Sequence, residues 1–225
     1  MTPEALFGIQ AALEGLRFDE QGYLERWKDM PGESGPVARV VAVDFGDSQR
    51  VYFGSGIDGS AEEQIRQLPV RAVVDGDASV LGVLKVRKDT EAYAQSWTYT
   101  VAAGGALPAI GSSRRLSSSD VLLRGFGEGF FEIEYDDVFV CLQDGAVVSA
   151  AASSREDAAS AEAWVFTTPE HRRRGFAAQV AAAWVRNVVS TDRTPFYSHL
   201  SDNTASRRLA ERLQLRRCFV ASCYR

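Results

Sequence analysis

The strongest constraint on the fold of this chain lies in residues 161 to 189, AEAWVFTTPEHRRRGFAAQVAAAWVRNVV. An apolar strand, Ala161 to Thr167, runs into a Pro-marked basic turn, Thr168 to Arg174. Gly175 then opens a long alanine-rich helix. A strand, a basic turn and a helix start, in that order, make an anion-binding arrangement. The first-turn N–H groups of a helix lack intrahelical partners, and the helix dipole is positive at that end. A phosphate or pyrophosphate there would satisfy those donors, and Arg172, Arg173 and Arg174 would add charge.

The order of residues narrows the ligand. The turn has neither the dinucleotide G-x-G-x-x-G pattern nor the P-loop G-x-x-x-x-G-K-[ST] pattern. Arg172-Arg173-Arg174-Gly175-Phe176-Ala177 fits [Q/R]-x-x-G-x-[G/A] instead. That pattern resembles the acyl-CoA pyrophosphate loop of the GNAT superfamily of N-acyltransferases. The resemblance implies that Arg172 to Ala177 hold the pyrophosphate. Gly175 would let the chain approach closely, and Ala177 is small for the same reason. It also implies a central strand that splays from its neighbour, with backbone groups around Val165, Phe166 and Thr167 bonding the pantetheine amides.

The downstream sequence carries the same resemblance. Thr194 to Leu200 reads as a strand, and Ser201-Asp202-Asn203-Thr204 as a polar break. An amphipathic helix follows, with Ala205, Leu209 and Leu213 on one face. Cys218 to Tyr224 reads as a last strand. The segment YSHLSDNTASRRLAERLQL is similar to the family's N-x-x-[SA] helix. By that resemblance Asn203 and Ser206 lie near the pantetheine and phosphates. Two positions depart from the family. Gln214 stands where a glycine commonly ends the helix, which points to a different helix termination. Ala210 stands where many family members carry a tyrosine that protonates the departing thiolate.

The N-terminal sequence is less specific. Leu6, Ile9, Leu13 and Leu16 predict helix within residues 3 to 29, followed by a turn-rich PGESGP. Residues 38 to 55 predict a hairpin around Gly46-Asp47, and Ala61 to Leu68 a helix. VRAVV at 70 to 74 and SVLGVLKV at 79 to 86 read as strands, as do residues 91 to 102. Ser118 to Phe126 reads as a helix, and three strands follow before the basic turn. Residues 104 to 113 make the best linker. The expected fold is α/β, with a GNAT-like mixed central sheet flanked by helices. It divides into an N-terminal α/β lobe at 1–103, either a lobe of its own kind or a degenerate GNAT-like half, the linker, and an acyl-CoA-binding domain at 114–225.

Charge supports an anionic ligand at the C-terminal end. Residues 161 to 225 carry a balance of +6, and residues 1 to 160 one of −11. A basic third beside an acidic remainder suits an anionic cofactor and a cationic acceptor, or simply two solvated faces. Three cysteines without a C-x-x-C read as reduced thiols, and no metal site is expected. No apolar run reaches the roughly 20 residues of a membrane span. With no leader pattern in MTPEALFGIQAALEGLRFDEQ, a cytoplasmic protein without membrane partner is expected.

The implied chemistry is direct transfer of an acetyl group from acetyl-CoA to a primary amine, on a small molecule or a protein. Glu162 is the first candidate for general base, because alternation sets it on one face with Trp164 and Phe166. Its alternative is a strand-edge carboxylate. His199 is the second candidate, against a structural histidine. Tyr197 and Tyr224 are the available phenols. Glu128, Glu132, Glu134, Asp136 and Asp137 could recruit an ammonium group, and Gly125 to Gly129 reads as a flexible segment. Two readings compete with the enzyme: a non-catalytic acyl-CoA sensor or scaffold, which Ala210 favours, and nucleic-acid binding through the Arg-rich helix. The acidic chain argues against nucleic acid. The N-terminal lobe is expected to carry acceptor specificity or a homodimer contact.

Overall fold

A computed structural model describes residues 1–26, 38–90, 92–102, 107, 111, 113–126 and 137–225. The chain forms two compact units that are discontinuous in sequence. The first comprises Met1–Thr98, His199–Asp202 and Arg217–Arg225, and the second Tyr99–Ser198 and Asn203–Arg216. The expected turn at PGESGP lies outside the described residues, as does most of the linker at 104–113.

In chain order the elements are α1 (Pro3–Leu13), β1 (Arg17–Phe18), β2 (Leu24–Arg26), β3 (Val40–Asp44) and β4 (Gln49–Phe53). Next come α2 (Gly59–Gln67), α3 (Val70–Asp75), α4 (Ala78–Leu84), β5 (Tyr93–Thr100) and β6 (Arg114–Leu116). They are followed by β7 (Val138–Gln143), β8 (Ala146–Glu156), β9 (Ser160–Thr167), α5 (Phe176–Ser190), β10 (Thr194–Leu200), α6 (Thr204–Arg212) and β11 (Arg216–Tyr224).

In the first unit the strands run in the order β4-β3-β11-β5, with β3 antiparallel to both β4 and β11. Helix α1 starts under a Thr2 cap, its hydroxyl accepting from Ala5 N–H at 3.3 Å. The β3–β4 hairpin turns at Gly46, whose φ is +93°. The C-terminal strand is anchored by buried hydrogen bonds: the Tyr224 hydroxyl donates to Val73 O and the Ser222 hydroxyl to Val74 O. Tyr224 is thus fully buried and bound within this unit. Burial also pushes its phenol pKa far above the ordinary value.

Two expected strands are helices. VRAVV forms α3, and most of SVLGVLKV forms α4. Pro69 stands just before α3, and Gly76, at φ +63°, ends it in the left-handed region. Val73, Val74, Val80 and Leu84 are all buried at helical spacing. Packing against Val40, Ala42 and Tyr224 overrides the strand preference of valine. Residues 17–26 form a small β-ribbon where helix was expected. The helix expected at 118–126 is a single 3-10 turn, Val121–Leu123, capped by Asp120.

In the second unit the order is β10-β9-β8-β7-β6. The β6–β7, β7–β8 and β8–β9 pairs are antiparallel, and β9–β10 is parallel. Asp144 and Gly145, at φ +52° and +83°, make the tight turn between β7 and β8. Helix α5 packs its alanine-rich face on the sheet, burying Val180, Ala181, Ala183 and Trp184. Alanines let the helix approach closely, and Trp184 Nε1 donates to Ser153 Oγ at 3.1 Å in the buried interface. This packing fixes the start of α5 beside the end of β9. Cys141, Cys218 and Cys223 are buried free thiols.

Candidate functional site

The site begins where two parallel strands part. β9 and β10 pair only through Thr194↔Ser160, Pro195↔Ala161 and Phe196↔Glu162. Beyond those positions β9 continues to Thr167, held on its other side by β8 up to Ser149↔Thr167. The β10-facing backbone groups of Ala163 to Thr167 therefore lack a ladder partner on that strand. The opening is the mouth of a cleft of about 860 Å³. Val165, Phe166 and Thr167 line it from β9, and Tyr197 from β10.

The turn after β9 is a built structure. A 3-10 turn, Pro169–His171, is closed by His171 N–H to Thr168 O, and the Thr168 hydroxyl meets His171 Nδ1 at 2.8 Å. Arg172 Nε donates to Thr167 O at 3.2 Å, which folds the loop back on the strand end. Arg173 and Gly175 both take positive φ, +62° and +89°. For an arginine that conformation costs roughly 1 kcal/mol, so the loop shape is held against a local preference. Gly175 caps α5 without a side-chain hydrogen bond. The first intrahelical acceptance runs from Gln179 N–H to Gly175 O. The amides of Phe176, Ala177 and Ala178 precede it and have no helical acceptor. All three residues line the cleft.

Helix α6 forms the other wall. The Asn203 side chain accepts from Ser206 N–H at 3.0 Å and caps the helix. Asn203, Ser206, Arg208 and Arg212 line the cleft. Tyr197 is 6 % exposed, and its phenol is hydrogen-bonded to Ser206. Burial raises its pKa, the Ser206 bond opposes that shift, and Tyr99 adds to it.

The cleft gathers Val165, Phe166, Thr167, Arg172, Arg173, Gly175, Phe176, Ala177, Asn203, Ser206 and Tyr197 from the sequence-based candidates. Arg174 is elsewhere: it donates to Gln143 Oε1 at 3.3 Å and lies over the Phe176 ring. Glu162 stands at the last paired position before the fork. It is 8 % exposed, and its Oε2 meets Arg155 Nη1 at 3.3 Å. His199 belongs to the first unit and is buried, with its ring 6.0 Å from that of Trp97. Its Nδ1 lies 2.7 Å from Leu200 O. A carbonyl only accepts, so Nδ1 donates this bond.

Of the cleft residues that were not among those candidates, three carry titratable side chains. His171 lines it half-buried, and Arg208 and Arg212 line it from α6. The signal for the arginines is the spacing of Thr204, Arg208 and Arg212, four residues apart on one helix face. Gln214 departs from expectation in another way. It adopts the left-handed conformation itself, at φ +54°, and Leu215 N–H reaches Ala210 O. The helix thus ends as a glycine would end it. Of the expected acidic cluster, Glu128, Glu132, Glu134 and Asp136 lie outside the described residues, as does Gly127 to Gly129. Asp137 is bound to Arg115 Nε at 2.6 Å and to Asn187 Nδ2 at 3.1 Å. Among the described residues no group of three His, Cys, Asp or Glu could hold a metal ion. No described helix is long and apolar enough to cross a membrane.

The site thus lies in an α/β fold, where a forked parallel pair of strands opens beside a basic helix start. Residues 139–219 match the family model described as GNAT acetyltransferase. The match runs from β7 into β11 and contains the whole cleft. Solved structures are similar to the chain at low identity. A GNAT-family protein from Novosphingobium aromaticivorans is 20% identical, with 58% of this chain and 63% of that chain covered and a TM-score of 0.49. An acetyltransferase of the GNAT family from Colwellia psychrerythraea is 12% identical, with 93% and 80% covered and a TM-score of 0.47. A GCN5-related N-acetyltransferase from Kribbella flavida is 14% identical, with 67% and 65% covered and a TM-score of 0.44. The chain spans just under two thirds of the length of the first and third of these. No curated protein matches the chain.

Proposed function

We propose that the cleft binds acetyl-CoA and that the protein transfers its acetyl group directly to a primary amine. The observation that carries this reading is the fork between β9 and β10 opening onto the uncapped start of α5, in one continuous cleft. The pantetheine arm would run between the strands and bond the unladdered backbone of Val165 to Thr167. The pyrophosphate would take the amides of Phe176, Ala177 and Ala178, with Arg172 and Arg173 beside it.

In the proposed reaction the amine nitrogen attacks the thioester carbon. A β9 backbone N–H bonds the developing oxyanion. The carbon–sulfur bond then breaks, and the thiolate takes a proton. Tyr197 supplies that proton. Ala210 is fully buried and offers no hydroxyl. A side chain at position 210 would lie back over the preceding turn, the turn of Ser206. The Tyr197 phenol, entering from β10, is bonded to Ser206. It therefore stands where the missing tyrosine would reach, and its raised pKa keeps it protonated at neutral pH.

Glu162 is assigned as the base that receives the ammonium proton, on its place at the fork and within the unit that holds the cleft. Arg155 fixes the carboxylate in orientation. A coupled assay tests the whole reading: mix protein, acetyl-CoA and a panel of primary amines, and detect free thiol. Amine-dependent thiol release supports the enzyme. Tight acetyl-CoA binding without release across the panel favours a non-catalytic acyl-CoA-binding protein instead.

A further inference from the structure

One buried hydroxyl beside the cleft takes no part in the proposed reaction. Ser149 lies on β8, fully buried, at the last paired rung of the β8–β9 ladder, Ser149↔Thr167. Its hydroxyl donates to Phe166 O at 3.0 Å and lies 2.8 Å from the Thr167 hydroxyl. A serine hydroxyl has a single proton, and a carbonyl only accepts. That proton is therefore committed to Phe166 O, and the Thr167 hydroxyl donates to Ser149 Oγ. The relay thus has one direction, from Thr167 through Ser149 to the backbone of β9. Thr167 lines the cleft. With its proton turned into the sheet, its hydroxyl keeps only lone pairs for a ligand. The strand end is also held through its backbone: Arg172 Nε donates to Thr167 O at 3.2 Å, and Thr168 N–H to Val148 O at 3.0 Å.

We infer that Ser149 is a positioning residue: it takes the Thr167 hydroxyl proton and so presents Thr167 Oγ1 to the cleft as an acceptor for an amide N–H of the pantetheine arm. The inference rests on the acyl-CoA reading and deepens it. A freely rotating hydroxyl would offer either a proton or a lone pair, and ordering it would cost entropy on binding. The relay fixes that choice before the ligand arrives. It selects an arm with a donor at this point, and it acts on binding, not on the chemical step. A neutral hydrogen bond of this kind is worth about 2- to 10-fold in affinity.

The test is calorimetric titration of the full chain with acetyl-CoA and with adenosine 3′,5′-bisphosphate, which lacks the arm. Thr167→Val keeps the side-chain shape and should lower acetyl-CoA affinity about 2- to 10-fold, with the bisphosphate unchanged. Ser149→Ala leaves Thr167 in place and should show the same selective loss, again about 2- to 10-fold. In the double variant the losses should not add, because both residues act through one contact. Ser154→Ala is the control. It removes a comparable bond from the same strand, Ser154 Oγ to Glu162 O at 3.1 Å, and should bind acetyl-CoA as wild type does. Wild-type affinity in Ser149→Ala, equal losses for both ligands, or additive losses in the double variant would overturn the inference. Where Ser149→Ala does not fold, unchanged acetyl-CoA affinity in Thr167→Val overturns it alone. No binding of acetyl-CoA by wild type would overturn the acyl-CoA reading, and this inference with it.

Discussion

Arg212 lies over Gly175: a Cβ built on that glycine would sit 3.2 Å from Arg212 Nη2. The guanidinium thus closes on the start of α5 from the α6 side. Any side chain at Gly175 meets two obstacles, the arginine and a backbone φ of +89°. Gly175→Glu should therefore cost about 1–2 kcal/mol of stability. Its carboxylate would also occupy the anion position and pair with Arg212. We expect a folded variant with a melting temperature lowered by several degrees and acetyl-CoA affinity reduced more than 100-fold. Circular dichroism and titration on one preparation check both.

Tyr197→Phe removes one hydroxyl and keeps the ring that lines the cleft. If the phenol protonates the departing thiolate, kcat should fall about 10²-fold or more, with the KM for acetyl-CoA little changed. The pH profile gives a second readout. Burial raises the phenol pKa, so the protonated acid persists through pH 9 and is lost only above the ordinary tyrosine range. Wild-type activity should show no alkaline loss below about pH 10 from this group. A purely structural role would lower stability without touching kcat.

Glu162→Gln keeps the shape of the side chain and removes its charge. We expect kcat to fall about 10²- to 10⁴-fold. The variant should also melt earlier, because Arg155 loses its buried partner. His199→Gln is the companion. Its Nδ1 bond to Leu200 O is a local structural contact, so kcat should stay within a few fold. Rates measured well below both melting temperatures separate the two effects. The opposite pattern, with His199→Gln inactive and Glu162→Gln active, would transfer the base to His199.

The sequence was legible where chemistry is local. The loop from Arg172 to Ala177 needs a glycine, a small residue and cations in fixed order, and that order is written in consecutive positions. The same holds for Asn203 and Ser206, whose spacing is that of a helix cap. It was illegible where long-range packing decides. Val70 to Leu84 reads as strand from its valines, yet Pro69 and Gly76 punctuate it into two helices that bury those valines under Tyr224. Nothing in the local pattern says that the last strand will hydrogen-bond to Val73 and Val74. Arg174 shows the limit within the motif itself. Three consecutive arginines look equivalent in sequence, but the left-handed turn at Arg173 sends the third toward Gln143. Gln214 shows that a position can keep a glycine's backbone without being glycine.

The most direct measurement is calorimetric titration of the purified chain with acetyl-CoA, with NAD as the control ligand. The fork, the α5 start and the arginines of α6 predict micromolar or tighter binding of acetyl-CoA at one site, and none of NAD. Failure to bind acetyl-CoA, by a folded protein, would contradict the account.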